Sequence, residues 1–95
     1  MNLIKRLVLD VLKPHQPNID ILATELMNLE GVKGVKIKVE EIDEKTASVK
    51  ITIQGENLDL KEIIEKLESL TCAVHSVDEV WSGDYQENVT RTLNY

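Results

Sequence analysis

The spacing of apolar residues switches along this chain between two and about 3.6, and the order of the switches leaves few folds open. From 3 to 13, Leu7, Leu9 and Val11 alternate with Arg6, Val8 and Asp10, the period of a strand. Pro14 and Pro17 stop it. Asn18 is a good cap for a helix whose apolar stripe is Ile19, Leu22, Ala23, Leu26 and Leu29, and Gly31 supplies the left-handed residue that ends it. Period two then returns twice, over 34–42 (Val35, Ile37, Val39) and 47–54 (Val49, Ile51, Ile53), around a polar turn at Asp43–Thr46. Pairing Val39 with Ile51 sets Glu40 opposite Lys50, which predicts an attractive cross-strand pair. Asp59-Leu60-Lys61-Glu62 reads as an acidic capping box, with Leu58 and Ile63 at staple spacing. A second helix follows on Leu60, Ile63, Ile64, Leu67 and Leu70, and a last strand runs from about Cys72 to Trp81.

That order, β-α-β-β-α-β, predicts an α+β ferredoxin-like sandwich: a four-stranded antiparallel sheet with two helices on one face. The first strand then lies beside the last. Antiparallel pairing around Val8 and Val77 places Arg6 opposite Glu79 and Asp10 opposite His75, both charge-compatible. The helix-free face would carry Arg6, Val8, Asp10, His75, Val77, Glu79 and Trp81. The same register turns Ser76 and Asp78 toward the helices, where a carboxylate is costly. A bulge near Val77, or a position at the end of the sheet, would relieve it.

Residues 1–82 form the expected domain and 83–95 a C-terminal tail. In the tail Val89, Arg91, Leu93 and Tyr95 alternate with polar residues, so it is either a disordered end or a strand added to an open edge. Addition to a neighbouring copy would tie subunits together. Such help would suit the core, because aromatics are only 3% of the 95 residues and Phe is absent. An aliphatic core of this size buries little area per residue.

The net charge of −6 argues against nucleic acid, which is bound largely through Lys and Arg. Nor do the central strands offer the aromatics on which RNA-binding sheets of this topology stack bases. The lone Cys72 excludes an internal disulfide and a cysteine-built metal site. No secretion leader and no apolar stretch near the ~20 residues of a membrane span are visible, so the expected setting is cytoplasmic and away from membranes.

The stretches "LVLDVLKPHQP" (7–17), "EGVKGVKIKVEEID" (30–43) and "VHSVDEV" (74–80) are similar to the signatures of a small archaeal group, domain-of-unknown-function family 211. The resemblance implies a ferredoxin-like fold and assembly into oligomers. It implies no established activity, and divalent-cation binding only without a residue pattern to carry over.

His15, between two prolines, sits where this fold often places ligand contacts, before a helix N-terminus that attracts anions. The loop lacks the glycine of a phosphate-binding turn, and a rigid structural corner is the plainer reading. Asp10, His75, Asp78 and Glu79 form the best polar group. Asp10, Asp78 and Glu79 could hold Ca²⁺ or Mg²⁺ through oxygen, or Asp10 could tune His75 as a base. A cross-strand ladder of ion pairs on the sheet is the plainer reading. Candidate ligand-binding residues are thus Asp10, His15, His75 and Glu79, with no catalytic residue assigned. The expected function is a homo-oligomeric binding or regulatory module for a divalent cation or small ligand. The alternative is a small enzyme with an Asp/His acid-base pair.

Overall fold

The computed structural model describes residues 3–83. In chain order the elements are β1 (Ile4–Pro14), α1 (Ile19–Met27), β2 (Val32–Ile42), β3 (Thr46–Gly55), α2 (Leu60–Ser69) and β4 (Ala73–Ser82). The strands form one antiparallel sheet in the order β2-β3-β1-β4. This is the ferredoxin-like sandwich that the periodicity predicts. The tail expected at 83–95 falls, from residue 84 onward, outside the described residues.

The core is aliphatic. Leu7, Leu9 and Val11 of β1 and Val49, Ile51 and Ile53 of β3 are fully buried beneath Leu22 and Leu26 of α1 and Ile63 and Leu67 of α2. Each such leucine or isoleucine contributes roughly 1.5–3 kcal/mol by leaving water. Ile19, placed in the buried stripe by its spacing, is instead 37% exposed, because it opens the first turn of α1 beyond the packed layer.

The two helices start differently. Asp59 caps α2, its Oδ1 accepting from the Glu62 N–H at 3.2 Å, and Leu58 and Ile63 are both buried beside it. Asn18 occupies the same place before α1, yet its side chain makes no capping bond. Gly31 has φ +85°, and its carbonyl accepts from the Glu56 N–H at 2.9 Å. A Cβ there would lie 2.2 Å from the Glu56 carbonyl oxygen, so the contact between the α1–β2 turn and the end of β3 requires glycine.

Two expected registers are corrected. In the β1–β4 pairing Arg6 faces Trp81, Val8 faces Glu79 and Asp10 faces Ser76, rather than Glu79, Val77 and His75. The register shifts between Val8 and Leu9 and again between Asp10 and Val11, which leaves Asp78 and His75 as extra residues of β4. A strict count of alternating residues fails across such bulges. They resolve the cost noted above. Val77 faces Leu9 on the helix side, Ser76 moves to the open face, and Asp78 reaches the open face from its bulge. In the β2–β3 hairpin Val39 faces Val49 and Lys38 faces Lys50, with Glu40 unpaired at another shift. Glu40 still lies 4.0 Å from the Lys50 Nζ, so the attraction survives without direct opposition.

Candidate functional site

The helix-free face of the sheet is organised in rows across the strands. One row runs Gly34, Gln54, Arg6, Trp81; the next Lys36, Thr52, Val8, Glu79; the third Lys38, Lys50, Asp10, Ser76. Val8 is half-buried, and the other side chains are polar or absent apart from Trp81.

Lys50 is the electrostatic centre. Its ammonium donates to Asp78 Oδ2 at 2.5 Å, lies 4.0 Å from Glu40 Oε1, and stands on β3 directly opposite Asp10. Ser76 Oγ donates to the other oxygen of Asp78 at 2.7 Å. The hydrogen bond from Lys50, then that from Ser76, hold the Asp78 carboxyl below its usual range, and Asp78 in turn raises the Lys50 pKa. Carboxylates gathered on this face therefore already surround a cation, the ammonium of Lys50. Glu79 is engaged elsewhere, accepting from Arg6 Nε at 2.5 Å. That pair is diagonal, since Arg6 faces Trp81.

Among the described residues no three His, Cys, Asp or Glu side chains converge closely enough to hold a metal ion. Asp10, Asp78 and Glu79 share a face, but Asp78 and Asp10 attend Lys50 while Glu79 pairs with Arg6. His75 has no hydrogen bond or ion pair to Asp10 or His15 among the described residues. It lies exposed in the bulge, near enough to Asp78 to favour its charged form. His15 lies at the end of the sheet, where its Nε2 donates to the Glu44 carbonyl at 2.7 Å and ties the β1–α1 loop to the hairpin turn.

The loop around His15 is held from beneath by a residue that sequence reasoning missed. Lys13 is 5% exposed, and its ammonium donates to the carbonyls of Pro14 (2.7 Å) and Pro17 (2.8 Å), with a longer contact to His15 (3.4 Å). The signal was its phase: Lys13 continues the inward series Leu7, Leu9, Val11. Burial pushes the Cys72 thiol pKa up, partly offset by the Lys13 charge, as suits a packed residue rather than a nucleophile.

Hollows open beside the sheet among the described residues. One of about 380 Å³ lies between Glu30–Lys33 and Glu56–Glu62 and is mostly acidic, with Lys5 paired to Glu56 at its rim. Another, about 330 Å³, opens on the helix-free face and is lined by Arg6, Gly34, Val35, Lys36, Thr52 and Gln54. None of these residues was a candidate from sequence, although a glycine inside a strand is a recognised sign of room for something else.

Fold and face together define a small ferredoxin-like protein whose helix-free sheet face carries a ladder of charges. Residues 5–94 match the DUF211 family, described as "Uncharacterized ArCR", and the chain belongs to that family. It is similar to the uncharacterized protein MJ0319 of Methanocaldococcus jannaschii, with 53% identity over 83 residues covering 87% of this chain and 86% of that protein.

Proposed function

We propose that this protein is a homo-oligomeric binding module that assembles through its strand edges. One observation carries the reading. Among the described residues both edge strands combine an open backbone edge with exposed apolar side chains: Val39 (38%) and Ile42 (72%) on β2, Val77 (40%) and Val80 (52%) on β4. An edge of that kind is a template for pairing unless charge or cover blunts it. The exposure of Val39 and Ile42 follows from length. An 11-residue strand spans about 36 Å, whereas the 9 residues of α1 span about 14 Å, so β2 outruns its cover.

Ca²⁺ or Mg²⁺ binding in this reading uses carboxylates pooled from two copies, since Lys50 occupies the cluster within one. Light scattering on the full chain should give an oligomer. Val39→Lys with Ile42→Lys, or Val77→Lys with Val80→Lys, should shift it toward monomer, because each long side chain keeps its charge in water and opposes pairing. A monomeric parent protein, or assembly unchanged by both double variants, would overturn the proposal. Native mass spectrometry with and without Ca²⁺ or Mg²⁺ reads the metal on the same samples.

A further inference from the structure

We infer that the notch around Gly34 binds a small anion, a ligand whose charged end is a phosphate or a carboxylate. The inference rests on reading the chain as a binding module and supplies that reading with a site and a ligand class. Four observations bear on it.

The first is charge. In a chain of net charge −6 the notch is lined by two cations, Arg6 and Lys36, and by no carboxylate. Among the described residues Glu79 takes only the Nε of Arg6, which leaves the terminal nitrogens of that guanidinium to face a ligand. Lys36, like Lys38 two residues on, has no ion pair among the described residues, so its charge is available to a ligand.

The second is hydrogen bonding. Thr52 and Gln54 flank the cations in adjacent rows, and neither side chain has a partner among the described residues. Hydroxyl, amide, ammonium and guanidinium are the donors that recognise tetrahedral or planar oxyanions.

The third is space. Gly34 has no left-handed backbone angle, and a Cβ added there would meet nothing within 4 Å. Gly34 borders the register shift after Val32, a common place for glycine, yet neither its backbone angle nor crowding demands one, and glycine weakens a strand interior. Its effect at this position is to leave the edge of the notch open. The fourth is size, since about 330 Å³ exceeds a bare ion and falls in the range of small-molecule sites.

Arg6 and Trp81 are cross-strand neighbours, and Trp81 is the single tryptophan, so its fluorescence reports on the site. The test titrates the full-length protein with inorganic phosphate and, separately, with malonate, following calorimetry and Trp81 emission. Saturable binding of either, near one per chain, is the expected result. Preference for phosphate assigns a phosphate-bearing ligand, and preference for malonate a carboxylate. Gly34→Leu should abolish binding and Lys36→Glu should weaken it at least tenfold. Lys61→Glu, the same charge change on α2, should leave it within twofold. Loss of binding in all three variants alike, or no saturable binding of either anion to the parent protein, would overturn the site. Light scattering on the same samples reads assembly separately, so an oligomer that binds neither anion removes this inference and leaves the module standing.

Discussion

Lys13 shows how one side chain can settle a loop. A buried ammonium is costly unless its donors are satisfied, and here carbonyls of the β1–α1 loop satisfy them. Replacing it with Met keeps the stem and strands those acceptors, so Lys13→Met should cost about 1–3 kcal/mol in urea unfolding. His15, one of the sequence-derived candidates, rides on that loop and would loosen with it. The Lys50–Asp78 pair acts on pH instead. Asp78 is depressed in the folded state, so its contribution is full above the unfolded value of about 3.9 and is lost as pH falls through the lower folded value. Lys50 is raised, so its contribution is full below its unfolded value of about 10.4 and is lost as pH climbs through the folded one. Asp78→Asn should therefore be less stable than the parent at pH 7, with the gap closing below about pH 4. Urea midpoints at pH 7, 4 and 2.5 measure it; a gap that persists unchanged at pH 2.5 would contradict the pairing.

Helices and strands were legible to different depths. The capping signal of α2 was readable because Asp59 and Glu62 stand three apart, and the bond is made. Asn18 carried an equally good signal, but its side chain makes no bond. Asp59→Ala should thus cost about 1 kcal/mol in thermal or urea unfolding. Asn18→Ala should cost clearly less. All six elements, and the sandwich they imply, followed from periodicity, which survives small local errors. Register did not. Single unpaired residues at Glu40, His75 and Asp78 each break the count, and a slip of that kind leaves no trace in an alternating pattern. The Arg6–Glu79 attraction was readable although the opposition assumed for it was wrong, because long side chains reach diagonal neighbours. Asp10, His75 and Asp78 were chosen for type, and type alone could not show that Lys50 would stand among the carboxylates. The Gly34 notch escaped for a related reason: its lining comes from three strands, and only the register brings it together.

For the whole molecule, the strand order concentrates the demanding contacts on β1. The local pairing, β2 with β3, spans one tight turn in which Asp43 N–H donates to the Thr46 carbonyl at 2.8 Å. Both of β1's partners, β3 and β4, are distant in sequence. Such non-local pairings slow folding, because loop closure precedes the contacts that reward it. The effect is sharpest during synthesis. β1 carries Leu7, Leu9 and Val11, all fully buried in the finished protein, and it is synthesised before either neighbour. Its β3 side closes only after residues 46–55 are made, and its β4 side only after 73–82. Once it emerges, the most apolar strand is still short of a neighbour until the last residues of β4 are made, and it is open meanwhile to chaperones and to other nascent copies. Of these four strands, the earliest made is the last to gain both its neighbours.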